Sequence, residues 1–198
     1  MKNAVAAVPI RSTETETIPT SVTTERLAGT MFTIGERVVH PRHGVGEIIR
    51  LEDWEFEAGG PHRYYKISIL DGSTIWVRVD NSNSGLRRLA TRSEIANCRK
   101  ILAARPIPVV IDGLVHQSEF VARLKQGTIA AQCGVVRDLS AFLAYRPHYG
   151  TIRDLLEAIR GVLCQEWAIV EGITLAEAVA EVGTLLEKSK MTLIETEA

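Results

Sequence analysis

The chain has 198 residues, 45% of them hydrophobic, which is enough apolar content for one or two packed domains. Its formal net charge is −1, so no overall field attracts it to nucleic acid or to a membrane surface. The charge is unevenly distributed. Thr91 to Val170 contains ten Lys or Arg against seven Asp or Glu, whereas Glu171 to Ala198 contains two against six. Any DNA contact is therefore expected before the terminal helix.

The three cysteines, Cys98, Cys133 and Cys164, lie far apart in helix-like stretches, which is typical of reduced thiols in a cytoplasmic protein. No stretch is long enough to span a bilayer, and the apolar residues 4–10 are too few for a secretory signal. We therefore expect a cytoplasmic location and no membrane partner. Residues 1–30 are polar and rich in threonine without periodicity, which predicts a disordered tail.

Residues 31–90 carry the turn signals of a small β domain. A turn at Gly35-Glu36 precedes a short apolar strand, and the Pro41 to Gly44 turn follows it. Asp71-Gly72 is a strong hairpin signal between two further strands. A last short strand at Gly85 to Ala90 would close a five-stranded barrel.

Period-two alternation assigns the faces of these strands. In the strand over Gly46 to Phe56, Ile49 and Leu51 are predicted to face the core, with Trp54 and Phe56 on the opposite face. The core residues predicted for the next two strands are Tyr65, Ile67, Ile69, Ile75, Val77 and Val79. The same alternation places Trp76 and Arg78 on the outer face.

After residue 90 the apolar spacing becomes helical. Three capping boxes, Thr91 with Glu94, Thr151 with Asp154 and Thr174 with Glu177, each predict a helix start. The predicted helices cover about residues 91–104, 112–125, 128–145, 151–171 and 175–188. The sequence thus predicts an α+β fold, in which the barrel at 31–90 is followed by a compact all-α bundle of about five helices at 91–198.

Motifs for catalysis are absent from the sequence. It contains no phosphate-binding glycine loop, paired-cysteine zinc set, nucleophile elbow or zinc-protease helix motif. His40 and His43 lack a neighbouring carboxylate or thiolate, which favours a structural turn over a metal site. We therefore expect a protein that is not an enzyme and has no metal or cofactor.

One stretch of the barrel is highly specific: Phe32-x-Ile34-Gly35-x-x-Val38-Val39-x-Pro41-x-His43-Gly44-Val45-Gly46. It is followed by Tyr64-Tyr65, Trp76-Val77, Asp80-Asn81 and Gly85-Leu86-Arg87. With these motifs the region resembles the CarD family of bacterial transcription regulators, whose amino-terminal module is shared with the polymerase-interacting domain of transcription-repair coupling factors. In the bundle, Val135-Val136-Arg137-Asp138-Leu139 is also similar to that family.

The resemblance implies a Tudor/SH3-like barrel that adds a strand to the β subunit of RNA polymerase. It also implies a helical domain that contacts promoter DNA at the upstream edge of the melting bubble, where a tryptophan wedges into the minor groove. By position, the candidates for the polymerase contact are Trp54, Phe56, Trp76 and Arg78. Two alternatives remain for these side chains, namely scattered surface aromatics and contacts to the chain's own bundle.

The helical part departs from the family pattern. The stretch Val109 to His116 contains no aromatic residue where the wedge tryptophan is expected, so Leu114 is the candidate substitute, with helix core as its alternative. The other candidate DNA-contacting residues are His116, Arg123, Lys125 and Arg137. The sequence thus predicts a monomeric transcription regulator. The alternative is a protein-interaction adaptor that keeps the barrel, has lost its DNA contact and binds another protein through the bundle.

Overall fold

The computed structural model describes residues 32–54, 61–80, 85–107, 120, 122–124 and 126–197. The strands are β1 (Arg37–His40), β2 (Gly44–Trp54), β3 (His62–Ile69), β4 (Thr74–Arg78) and β5 (Arg87–Arg88). The helices are α1 (Arg92–Ala103), α2 (Ile129–Tyr145), α3 (Gly150–Glu171) and α4 (Leu175–Glu197). This arrangement confirms the predicted α+β class. The predicted tail at 1–30 and most of the helix predicted at 112–125 lie outside the described residues.

The five strands form one antiparallel sheet in the order β4-β3-β2-β1-β5. Gly44, at φ +82°, begins β2 directly after the β1–β2 turn, and Gly72, at φ +87°, lies in the hairpin predicted between β3 and β4. Strands β4 and β5 are the two edges. Among the described residues no ladder joins them, so the sheet is open there and does not show the closed barrel predicted from the sequence.

Strand β2 contains an irregularity that alternation did not predict. The register against β3 shifts between Ile48 and Arg50, as a β-bulge does. As a result Ile48 is fully buried, whereas Ile49 is 43% exposed. The prediction that Ile49 faces the core is therefore wrong, because the extra residue moves its side chain outward. After the bulge the prediction holds, since Leu51 packs against the sheet core and Trp54 is exposed.

The sheet and the helices have separate apolar cores. The sheet core consists of Phe32, Val38, Ile48, Tyr65, Ile67, Ile69 and Val77, with Ile75 and Val79 partly buried against it. This set confirms the core faces predicted for β3 and β4. The helical core is larger and surrounds Trp167, which is fully buried. Cys98, Cys133 and Cys164 are buried free thiols, as their helical positions predicted.

Local capping accounts for most helix ends. Thr91 and Thr174 each form the predicted capping box, and Gly172 ends α3 in the left-handed conformation at φ 73°. The capping box predicted at Thr151 is wrong, because α3 begins at Gly150 and its N-cap, Tyr149, makes no side-chain cap. Helix α4 continues past its predicted end at residue 188. None of the described helices combines the length and hydropathy that a membrane-spanning segment needs.

Helix α3 contacts the sheet as well as the other helices. Val39 of β1 and Val45 of β2 form a third buried cluster with Val162 of α3, which we call the valine cluster. Leu89 and Ile169 pack against it. The side-chain oxygen of Gln165 also accepts a hydrogen bond from the backbone N–H of Val45, at 3.5 Å. These contacts join the β1–β2 hairpin to α3.

A buried carboxylate completes this junction. Glu166 of α3 has no solvent exposure. Its Oε1 accepts from Arg87 Nη1 at 2.5 Å and from the backbone N–H of Ala90 at 2.7 Å, while its Oε2 accepts from Arg87 Nη2 at 2.6 Å. Arg87 also donates to Oε1 of Gln132 on α2, at 3.2 Å. Glu166 and Arg87 together therefore connect the end of the sheet to α2 and α3.

Replacing this carboxylate is expected to destabilise the whole chain. Glu166→Gln leaves the guanidinium of Arg87 facing a neutral amide in a largely dry site, and breaking a buried pair from one side costs about 3 kcal/mol. Urea unfolding of the two proteins measures the difference. The matched control is Glu187→Gln, whose carboxylate pairs with Lys190 and is 71% exposed, so its loss should cost less than about 1 kcal/mol. Equal losses for the two variants would contradict this account of Glu166.

Candidate functional site

The outer face of β2, β3 and β4 carries a cluster of aromatic and charged side chains. Trp54 is 46% exposed and Trp76 is 41% exposed, which confirms the outward orientation predicted for both. In the antiparallel register, Lys66 lies opposite Trp76, and Tyr64 lies opposite Glu52. We call these five residues, Glu52, Trp54, Tyr64, Lys66 and Trp76, the aromatic face.

Glu52 holds the two tryptophans together. Its Oε2 accepts a hydrogen bond from the indole N–H of Trp54 at 2.8 Å and from that of Trp76 at 2.9 Å. Its Oε1 accepts from Lys66 Nζ at 3.3 Å, and the same ammonium lies 5.4 Å from the ring centroid of Trp76. The hydrogen bonds from Trp76 and Trp54, with a contribution from Lys66, lower the pKa of Glu52 to about 2. The carboxylate is therefore ionised at neutral pH.

Tyr64 is the buried member of the aromatic face. It is only 6% exposed although its neighbour Tyr65 points into the sheet core, and successive residues of a strand point to opposite faces. In the register Tyr64 lies between Glu52 of β2 and Arg78 of β4. The neighbouring side chains thus bury the ring of Tyr64 on the outer side of the sheet. This packing indicates that the side chains of the aromatic face hold one another in place.

Arg78 ends β4 in an ion pair with Asp80. The guanidinium Nε lies 2.6 Å from Oδ1 and Nη2 lies 2.7 Å from Oδ2. Arg78 lowers the pKa of the Asp80 carboxyl to about 2. Of the four residues predicted to contact a partner, Trp54, Trp76 and Arg78 thus share the outer face of the sheet, while Phe56 lies outside the described residues. Their role in binding stays a prediction.

Strand β4 is the edge of the described sheet beside this face. Strand β4 pairs with β3 on one side, and in the described part of the chain no strand pairs with its other side. The opposite edge, β5, is only two residues long, and Arg87 within it is bound to Glu166. A five-residue edge strand with an exposed tryptophan, Trp76, suits strand addition by a partner.

Two of the five residues predicted to contact DNA, Arg123 and Arg137, lie in the described part of the chain. Leu114, His116 and Lys125 lie outside the described residues. Arg137 is only 8% exposed, and its Nε donates to Asp138 at 2.8 Å while its Nη1 donates to the carbonyl of Ile101 at 3.3 Å. Two of its donors are engaged inside the bundle, and the DNA contact of Arg137 stays a prediction.

Arg123 occupies an intermediate position. Its side chain is 25% exposed, and its Nη1 donates to the buried carboxylate of Asp138 at 2.8 Å. Asp138 also accepts from the backbone N–H of Ile107 at 3.0 Å, so its two oxygens connect three segments of the bundle. A phosphate would have to share Arg123 with this carboxylate. The structure therefore gives Arg123 a structural partner and leaves its DNA role a prediction.

His40 and His43 form part of the β1–β2 turn. Their ring centroids lie 4.7 Å apart, and Nδ1 of His40 accepts from the backbone N–H groups of Arg42 and His43. Burial, together with the charges of His43 and Arg42, lowers the pKa of His40 to about 4. Among the described residues, no group of three or more His, Cys, Asp or Glu side chains is placed to hold a metal ion.

The sequence analysis did not identify two carboxylates that hold other side chains in place, Glu52 in the aromatic face and Glu166 in the junction between sheet and helices. Glu52 precedes Trp54 by two residues on the same strand face, a spacing that brings their side chains to the same side. Glu166 lies among the apolar positions of α3, between Leu163 and Trp167, where an acidic residue needs a buried cation. Both signals are present in the sequence, but the partners Trp76 and Arg87 come from other strands.

Residues 32–90 match the family model of the CarD-like/TRCF RID domain. This part of the chain is a CarD-like/TRCF RID domain. The resemblance found in the sequence is therefore confirmed for the sheet, and the match runs from buried Phe32 to Ala90, the residue whose N–H binds Glu166. Domains of this family interact with the RNA polymerase β subunit. No curated protein matches the chain.

The hydrogen bonds of Glu52 predict a specific effect on tryptophan fluorescence. In Glu52→Ala the indoles of Trp54 and Trp76 lose their shared acceptor, so their emission should shift and acrylamide should quench them more strongly. The melting temperature should change by only a few degrees, because the cluster lies at the surface. Because the pKa of Glu52 is held at about 2, the wild-type quenching should stay constant as the pH falls from 7 to 4.5, its ordinary pKa.

Asp53→Ala is the matched control for this measurement. The Asp53 carboxylate lies one residue along the strand and pairs with Arg63, at 3.0 Å, rather than with an indole. It should leave the quenching unchanged. If Asp53→Ala altered the fluorescence as much as Glu52→Ala did, Glu52 would not be the residue that holds the tryptophans.

Proposed function

We propose that the chain is a transcription regulator that docks on the β subunit of RNA polymerase through its RID domain. In this proposal a strand of the polymerase pairs with the edge of β4, and the aromatic face packs against the surface beside that strand. The single observation that supports it most is the coincidence of an available edge strand with two exposed tryptophans on the same face. Backbone pairing would supply affinity, and the side chains would supply specificity.

The aromatic face is suited to a central role in such an interface. Trp is among the residues that contribute most when an interface buries them. The indole N–H groups of Trp54 and Trp76 are already bonded to Glu52, so a partner can cover the rings without leaving those donors unsatisfied. The ammonium of Lys66 is likewise paired with Oε1 of Glu52, at 3.3 Å. Docking would therefore bury apolar ring surface at a small polar cost.

The helical bundle would act near the upstream edge of the promoter bubble. Glu166 and the valine cluster fix α3 to the RID domain, so docking the sheet also sets the direction of α3. Gly150 and Glu166 are 16 positions apart, which is about 24 Å of helix at 1.5 Å per residue. We infer that α3 is a rigid spacer that carries the far end of the bundle away from the docking site and toward DNA.

A specific observation favours a second candidate function. Arg137 is buried and Arg123 is bound to Asp138, so two of the expected phosphate contacts are engaged within the bundle. This arrangement supports the adaptor alternative, in which the RID domain still binds the polymerase and the bundle binds another protein. Promoter binding separates the two functions, because contacts to phosphates release counterions and give a steep dependence of affinity on salt.

Replacing Trp76 tests the docking site. Trp76→Ala should weaken binding of the full chain to the isolated polymerase β lobe by about 2 kcal/mol, or roughly 30-fold, in calorimetric titration. Its melting temperature should change little, since the ring is outward-facing. Ile34→Ala is the control, because Ile34 is similarly exposed, at 45%, but lies before β1. Unchanged affinity in Trp76→Ala, or an equal loss in Ile34→Ala, would contradict docking through β4.

A further inference from the structure

The turn between α2 and α3 exposes aromatic and basic side chains together. Every residue from 144 to 151 is exposed. Tyr145 is 64% exposed, the largest value for an aromatic side chain in the described part of the chain, and Tyr149 is 37% exposed. Arg146 and His148 lie between them, and Arg153 follows in the first turn of α3. We call Tyr145, Arg146, His148, Tyr149 and Arg153 the aromatic corner.

Contacts within the turn hold the aromatic corner in place. The ring of Tyr149 packs edge-on against Phe142 of α2, with 5.3 Å between the ring centroids. Arg153 Nη2 donates to the carbonyl of Pro147 at 2.8 Å, and the backbone N–H of Arg146 donates to the carbonyl of Phe142 at 3.0 Å. The exposed ring of Tyr145 therefore lies beside a turn whose conformation is held by these contacts.

The charge around the aromatic corner is positive. The sequence contains no acidic residue between Asp138 and Asp154, and Asp138 is fully buried and bound to other arginines. Neither Arg146 nor Arg153 forms an ion pair with a described carboxylate, although both are exposed. An exposed surface with two arginines and two tyrosines, bordered on one side by Asp154, complements an anionic partner that also has flat apolar faces.

We propose that the aromatic corner binds single-stranded DNA. Unpaired bases can stack on exposed tyrosine rings while arginines contact the phosphates between them, whereas a duplex keeps its base faces inside the helix. The proposal rests on the proposed function, because an open promoter supplies the strand. Ile152, beside the corner, lies 14 positions before Glu166, which places the corner about 21 Å along α3 from the RID junction.

Fluorescence anisotropy of the full chain with a labelled oligothymidine of about 12 nucleotides tests the proposal, since this length lies within the site sizes of single-strand-binding folds. We expect tighter binding to this strand than to a duplex of equal length. Tyr145→Ala should weaken single-strand binding about fivefold or more, and Tyr145→Phe, which keeps the ring, should bind as wild type does. Arg146→Gln should also weaken binding and reduce its salt dependence.

Lys188→Gln is the charge control, because Lys188 is exposed on α4, outside the aromatic corner. It should leave single-strand binding unchanged. The proposal is overturned if Tyr145→Ala binds the single strand as tightly as wild type, or if Arg146→Gln and Lys188→Gln weaken it equally. Binding of each variant to the polymerase β lobe is measured in parallel and should not change. If the wild-type chain bound the single strand through Tyr145 but did not bind the β lobe, the proposed function would be refuted. The proposal that the aromatic corner binds single-stranded DNA would still be supported.

Discussion

The buried carboxylate of Glu166 is the interaction on which the arrangement of the described structure depends. An ionised side chain with no solvent exposure needs compensating charge and hydrogen bonds, and Arg87 and the N–H of Ala90 supply them. Both partners come from the end of the RID domain, and Gln132 extends the network from Arg87 to the carbonyl of Ile159. The network therefore connects the sheet to α2 and α3 through directional bonds, and the valine cluster beside it supplies apolar packing.

This junction also determines which surface of the RID domain can meet a partner. The junction involves β5, the β1–β2 hairpin and the adjoining residues. It does not involve the sheet edge at β4 or the outer face of β2 to β4. On that outer face Glu52 satisfies both indole N–H groups and the ammonium of Lys66. A preorganised face of this kind loses little conformational freedom when it is covered, which favours binding.

Local signals in the sequence were sufficient for features that depend on neighbouring residues. The hairpin at Asp71-Gly72, the capping boxes at Thr91 and Thr174 and the outward position of Trp76 follow from turn chemistry and from period-two alternation. Features set by distant residues were missed or wrong. The bulge that turns Ile49 outward appears only in the register with β3.

The same distinction explains the errors in the helical bundle. The start of α3 is set where the chain turns after Pro147 and Tyr149 packs on Phe142, so the Thr151 signal was overridden by tertiary contact. The burial of Arg137 was not predicted either, because it depends on donors that bond to Asp138 and to the carbonyl of Ile101 on α1. Glu52 and Glu166 act through partners on other strands, and a single strand or helix pattern does not reveal such pairs.

The central claim is that the edge of β4 pairs with a strand of RNA polymerase. Hydrogen exchange of the full chain, measured by mass spectrometry with and without the polymerase β lobe, tests it most directly. Backbone amides that gain a ladder partner exchange more slowly, so the account predicts new protection in peptides covering Thr74–Arg78 and little change in those covering β5 and α3. Binding that protects the helices and leaves β4 unchanged would contradict it.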